Sequence, residues 1–122
     1  MNFKIGNDII ETQRIKKIIE KYPNKFKNRI FTEKEINYCE NKGLNKFQSY
    51  AARFAAKEAI FKALSDYLEN KYSVKWKDIE ILNKPNGKPY VKLRNINFVN
   101  NIEISISHVK EYAIATALIY LD

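Results

Sequence analysis

The sequence predicts an α+β domain in which a long central helix packs on a largely antiparallel sheet, and three features carry that expectation. Asn45 to Glu69 runs without an internal Gly or Pro and keeps helical spacing throughout. Lys84-Pro85-Asn86-Gly87-Lys88 places an Asn-Gly pair between two short apolar runs, the strongest short-range signal for a hairpin. Ile102, Ile104 and Ile106 alternate with polar residues as a half-buried strand. After the turn Val109-Lys110-Glu111, the β-branched and aromatic run Tyr112 to Leu121 is suited to pair with it.

The elements follow in order. Phe3 to Ile10 reads as a short strand through Phe3, Ile5, Ile9 and Ile10. Thr12 to Tyr22 has helical spacing through Ile15, Ile18 and Ile19, and Pro23 stops it. Thr32 and Glu35 form the T-x-x-E capping box of a second helix, and Gly43 suits its end. On a wheel of about 100° per residue, Phe47, Ala51, Phe54, Phe61 and Leu68 share one side of the long helix. Ala52, Ala56, Ala59 and Ala63 make a second stripe, small enough for another element to approach closely. A helix apolar on two sides belongs at the centre of the core. Asp78 to Leu82 and Pro89 to Leu93 flank the Asn-Gly turn as strands.

With 122 residues, the chain fits one domain spanning 1–122. A chain of this size buries only about two-thirds of its unfolded surface, so assembly with other copies would help it. Hydrophobic residues make up 45% and exclude a disordered chain. The net charge of +8 favours an acidic partner or a phosphate-rich ligand. Most of the excess falls in residues 12–46, where ten lysines and arginines face four glutamates. The single Cys39 has no disulfide or metal-knuckle partner, which suits a reduced, cytoplasmic setting. No apolar run is long enough for a spanning helix, since Ala113 to Leu121 covers half of what one needs, so no membrane role is expected. Three glycines, at 6, 43 and 87, cannot build a P-loop or a dinucleotide fingerprint. Phosphate chemistry would therefore rest on side chains and a metal.

Glu58 is the oddest residue by position, lying among Phe54, Phe61 and Ala51 on the wheel. A carboxylate there costs several kcal/mol unless it is paired or holds a cation. A plain i,i+4 pair with Lys62 explains it slightly better from the residues alone. Asp8, late in the first strand, is either a cap for the following helix or a second hard oxygen ligand. Asp8 and Glu58 together suit Mg²⁺, which is commonly held by one or two carboxylates with phosphates and water. His108, the only histidine, ends a strand; lone histidines are more often structural than catalytic. Arg53, Lys57 and Lys62 flank Glu58 on the long helix, either as solvated salt-bridge partners or as clamps for a diphosphate.

Four ordered segments resemble the single-domain acyl-carrier-protein synthase family of phosphopantetheinyl transferases. Gly6-Asn7-Asp8-Ile9-Ile10-Glu11-Thr12-Gln13-Arg14-Ile15 resembles its opening G-x-D-I-x-E-x-x-R-I pattern. Arg53-Phe54-Ala55-Ala56-Lys57-Glu58-Ala59 resembles its helix motif, and Asn86-Gly87-Lys88-Pro89 its N-G-K-P turn. Ser105-Ile106-Ser107-His108, with Tyr112-Ala113, resembles its closing pattern. Asn7 departs from the apolar residue usual there, beside an intact Asp8.

The resemblance implies the phosphopantetheinyl transferase fold and Mg²⁺-dependent transfer of phosphopantetheine from coenzyme A to a serine of acyl carrier protein, for fatty acid synthesis. It implies that Asp8 and Glu58 bind Mg²⁺ with the coenzyme A diphosphate. Arg53, Lys57 and Lys62 would contact or neutralise phosphates, and Gly87, Lys88, Pro89 and His108 would seat the nucleotide. The proton acceptor remains open among Glu58, Asp8 and a metal-bound water. Arg14, Lys16, Lys17 and Lys21 would dock the acidic carrier, although most such basic runs are simply solvated faces. The resemblance further implies a homotrimer with sites between subunits. A nucleic-acid-binding module is the rival suggested by charge, but no RNP-type aromatic strand accompanies it. Two further readings are an inactive scaffold, against which Asp8 and Glu58 argue, and a transferase for peptidyl carriers, against which chain length argues.

Overall fold

A computed structural model describes residues 2–69 and 73–121. Strand β1 (Phe3–Glu11) leads directly into helix α1 (Thr12–Lys21), followed by α2 (Pro23–Ile30), α3 (Glu33–Glu40) and the long α4 (Lys46–Leu64). The chain then forms β2 (Ile79–Asn83), β3 (Pro89–Leu93), β4 (Asn101–His108) and β5 (Tyr112–Tyr120). Strands β1, β5 and β4 make one antiparallel sheet in that order, and β2 with β3 makes a separate hairpin. The expected α+β architecture, a long helix on antiparallel strands, is thus the one observed.

Alternation along β1 gives the strand two unlike faces. Gly6 and Ile10 are buried and Asp8 is half-buried, whereas Phe3, Ile5, Asn7 and Ile9 are exposed. The even-numbered face looks inward onto α4. A Cβ added at Gly6 would lie 1.9 Å from the Ala59 carbonyl oxygen and 2.8 Å from the Ala63 nitrogen. Gly6 and the alanine stripe of α4 therefore let strand and helix meet almost backbone to backbone. The opposite face of the sheet leaves Phe3, Ile5 and Ile9 of β1 and Tyr112 and Ile114 of β5 open to solvent.

Three local expectations are corrected. Pro23 does not only end α1; it starts α2 from its first turn, where a missing N–H costs nothing. Gly43, with φ of +58°, opens a 3-10 turn after α3 has already ended at Glu40. The long helix stops at Leu64, and a 3-10 turn, Ser65–Tyr67, follows it. The capping box at Thr32 and Glu35 forms as the sequence indicates.

Candidate active site

Two residues beyond Gly6 along the same inward face, Asp8 reaches α4 beside Glu58. Lys62 bridges the corner, donating to Asp8 Oδ1 at 3.0 Å and to the Asn7 carbonyl at 3.0 Å. Lys62 thus pairs with Asp8, and Asp8 does not cap α1, whose N-cap is Glu11 without a side-chain bond. Glu58 is partly buried, and its carboxyl is held above the ordinary glutamate range. Burial is the main cause, the nearby Asp8 charge adds to it, and Lys62 opposes both. Two neighbouring carboxylates, one resisting its own charge mainly through burial and further through the other, form a site whose electrostatics favour a cation. Among the described residues no third acid, histidine or cysteine joins them. The donor set fits Mg²⁺ bound by two carboxylates and completed by phosphate and water oxygens.

A cavity of about 720 Å³ opens beside Glu58. Phe61, Leu68, Val74 and Trp76 give it an apolar lining, with Arg29, Lys75 and Ser65 as polar points. Phe54 stacks on Trp76 and Phe61 meets Trp76 edge-on, so this wall is rigid.

A second groove of about 350 Å³ lies over another side of α4. It gathers Arg53, Gly87, Pro89 and His108 with Tyr38, Ser49 and Asn83. Arg53 is only 5% exposed and lies 3.9 Å over the Tyr38 ring. Its Nη1 donates to Ser49 Oγ at 3.4 Å, Nη2 donates to Asn83 Oδ1, and Nε has no partner among the described residues. Gly87 takes φ of +90°, which the tight Lys84–Lys88 turn requires. The Lys88 side chain points away to Glu103, 3.9 Å distant.

Lys57 departs from its expected place. Its side chain is fully buried, with the ammonium 2.7 Å from Glu35 Oε1, 2.7 Å from the Ile30 carbonyl and 3.2 Å from the Trp76 carbonyl. A direct phosphate contact is closed to it. The helix explains the split: Arg53 and Lys57 stack at i,i+4, as do Glu58 and Lys62, and the two pairs are rotated by about 100° or more. Adjacency in sequence set Lys57 beside Glu58, and the rotation sends it into the core. Arg14, Lys17 and Lys21 lie exposed along one face of α1, while Ile15 and Ile19 are buried on the other.

Sequence reasoning missed Arg29, Lys75 and Trp76 around Glu58, and Tyr38 and Asn83 beside Arg53. Arg29 was within reach, because Pro23 at a helix start is itself a signal for α2. Trp76 and Asn83 become neighbours of the site only through packing distant in sequence. Cys39 is buried, and burial pushes its thiol up to about 11, so it offers no reactive thiolate.

Residues 4–117 match the family described as the 4'-phosphopantetheinyl transferase superfamily. A holo-[acyl-carrier-protein] synthase of Ruminiclostridium cellulolyticum is 44% identical, over 99% of this chain and 94% of the relative. The crystal structure of a holo-(acyl-carrier-protein) synthase from Bacillus anthracis in complex with CoA (3',5'-ADP) is similar with a TM-score of 0.80 and 38% identity, covering 95% and 94% of the two chains. That of the Helicobacter pylori holo-[acyl-carrier-protein] synthase in complex with coenzyme A gives a TM-score of 0.82 and 32% identity, covering 95% and 99%.

Proposed function

Because this chain belongs to the holo-[acyl-carrier-protein] synthases of the 4'-phosphopantetheinyl transferase superfamily, we propose that its Asp8–Glu58 corner carries out Mg²⁺-dependent transfer of phosphopantetheine. The donor is coenzyme A and the acceptor is a serine of apo-acyl carrier protein. The observation that carries this reading is the pair of carboxylates, drawn together by the Gly6–Ala59 contact, of which Glu58 lines a cavity with basic and apolar walls.

Asp8 and Glu58 would hold the metal, which when bound supplies Lewis-acid neutralisation of the diphosphate. Lys62, 52% exposed at its side chain, is free to turn from Asp8 to a phosphate oxygen. The serine oxygen attacks the phosphorus that carries pantetheine; a new P–O bond forms and the bond to adenosine 3',5'-bisphosphate breaks. Glu58 takes the serine proton, directly or through one water, and its raised carboxyl suits it as acceptor. Arg53 presents positive charge to the nucleotide from the second groove, with His108, Gly87 and Pro89 around it. Lys88, exposed and only loosely paired with Glu103 at 3.9 Å, is likewise free to swing from the turn to the nucleotide.

The exposed basic face of α1, at Arg14, Lys17 and Lys21, fits docking of an acidic carrier. The apolar outer face of β1 and β5 supports assembly with other copies of the chain, as a homotrimer. The separation of the nucleotide groove from the Asp8–Glu58 corner within one chain supports sites shared between neighbouring subunits. No described helix is long and apolar enough to cross a membrane. A cytoplasmic, single-domain enzyme of fatty acid synthesis is the setting we propose.

Intact-mass spectrometry of apo-acyl carrier protein, incubated with this protein, coenzyme A and Mg²⁺, tests the reading. A mass gain of one phosphopantetheinyl group, abolished by EDTA and by Asp8→Ala, is expected. An unmodified carrier, with the protein folded, would overturn it.

A further inference from the structure

Asn83 is the last residue of β2, where the hairpin leaves the ladder and enters the turn that floors the second groove. Its carboxamide is used at both ends. The oxygen accepts from Arg53 Nη2, and the Nδ2 amide donates to the Gly87 carbonyl at 3.0 Å. The orientation is forced, because reversing the amide would set NH₂ against a guanidinium and oxygen against a carbonyl. Within the turn, Gly87 N donates to the Lys84 carbonyl at 2.8 Å, Lys84 N to the Lys88 carbonyl at 2.9 Å and Lys88 N to Asn86 Oδ1 at 3.0 Å; outward, the exposed Lys88 ammonium lies 3.9 Å from Glu103. Of these contacts, only the one from Asn83 ties Gly87 to the rest of the groove.

We propose that Asn83 is a positioning residue for the nucleotide, joining the buried Arg53 cation to the Gly87 turn so that both walls of the groove hold one geometry. The inference rests on the reading of this groove as the seat of the adenosine bisphosphate. Arg53 is nearly buried, stacked on Tyr38 and bonded to Ser49, so it cannot follow a displaced ligand. The turn must therefore be brought to the arginine, and Asn83 does that. A short side chain with both a donor and an acceptor is needed at this point. Asp supplies only acceptors, and Ala supplies neither.

Two variants separate these requirements. Asn83→Asp keeps the acceptor for Arg53 and turns an oxygen onto the Gly87 carbonyl; Asn83→Ala removes both bonds. Backbone ¹⁵N order parameters of Asn86, Gly87 and Lys88 in the ligand-free protein should fall in both variants, from about 0.85 toward about 0.6. Calorimetry with adenosine 3',5'-bisphosphate should show affinity weakened about five- to tenfold in Asn83→Ala, the scale of one lost hydrogen bond, and further in Asn83→Asp, whose carboxylate offsets the Arg53 charge. The KM for coenzyme A should rise by a similar factor, with the KM for the carrier unchanged in assays run well below each variant's melting temperature, which Asn83→Ala lowers by leaving Arg53 short of an acceptor. A purely structural role would move all of these together, and that result overturns the proposal. So do order parameters and nucleotide affinity equal to wild type in both variants. Failure of the wild-type protein itself to bind adenosine 3',5'-bisphosphate overturns the reading of the groove, and is distinguished by needing no variant.

Discussion

Replacing Lys57 by Met tests whether the most conspicuous cation of the helix motif serves the chemistry or the fold. Lys57 and Glu35 are each 0% exposed at the side chain, and the ammonium bonds Glu35 and the carbonyls of Ile30 and Trp76. Glu35 is further committed to the Thr32 amide at 2.8 Å and the Ile81 amide at 2.9 Å. Burial pulls the Lys57 ammonium below the usual lysine range, and the Glu35 charge beside it works against that pull. Met fills the volume but strands Glu35 and two carbonyls, and breaking a buried pair from one side costs about 3–5 kcal/mol. A chain of this length has roughly 6–18 kcal/mol of stability, so the variant should still fold. At about 2.1 cal/mol/K per residue the melting temperature should drop by roughly 12–20 °C. Urea unfolding at fixed protein concentration should show the same loss in the midpoint with little change in slope. Adding Glu35→Gln removes the stranded charge, and the double variant should be more stable than Lys57→Met alone. The kcat of the folded variant, assayed well below its melting temperature, should stay within a few-fold of wild type. Unchanged stability with kcat down by about 10²–10³, the cost of losing a preorganised phosphate donor, would refute the structural role and restore the phosphate contact.

Gly6→Ala should cost at least about 1–3 kcal/mol, because the added methyl meets helix backbone and not a flexible side chain; a melting curve matching wild type would show that β1 and α4 do not approach so closely. If the proposed homotrimer forms through the outer face of β1, Ile5→Glu with Ile9→Glu should convert it to a folded monomer in sedimentation velocity, since both side chains face solvent in the single chain; an intact oligomer would place the interface elsewhere. Glu80, buried at β2, would be raised by its burial, yet the Thr32 hydroxyl and Arg94 hold it below the ordinary glutamate range. Its stabilisation should be complete above about pH 4.5 and lost as pH falls through the lower folded value, and Glu80→Gln should flatten that acid limb in urea midpoints. In metal-free protein, carboxyl NMR should show Glu58 titrating above the ordinary range, falling in Asp8→Asn and rising in Lys62→Met; the opposite signs would contradict the electrostatics of the corner.

The sequence showed most plainly what is periodic. The alternation of Ile102, Ile104 and Ile106, the Asn-Gly turn and the Thr32–Glu35 box each announce a local geometry, and each appears as expected. Pro23 stops α1 as expected and also begins α2, which the stop signal alone does not reveal, because one residue type serves both and only the residues beyond it show the second helix. The outward Phe3, Ile5 and Ile9 were legible as strand residues but not as a surface, since alternation fixes two faces without saying which one meets α4. Gly6 decides it: the face that carries a glycine is the face that can lie against Ala59 and Ala63.

That same register sets the geometry of the proposed site. Once Gly6 must point inward, Asp8 must too, and the only place for its carboxylate is against α4 at Glu58 and Lys62. Lys57, one residue from Glu58 but about 100° around the helix, is thereby excluded from the corner and committed to the core. Sequence neighbours are thus sorted into opposite roles by helical rotation, while residues fifty or more apart are brought together by strand parity. A Gly6 variant that still folded would for this reason lose activity beyond its loss of stability, because displacing β1 from α4 separates Asp8 from Glu58. Turnover per folded molecule, measured well below the melting temperature, separates the two effects; a Gly6→Ala protein with wild-type turnover would show that the carboxylates keep their places without the close contact of strand and helix.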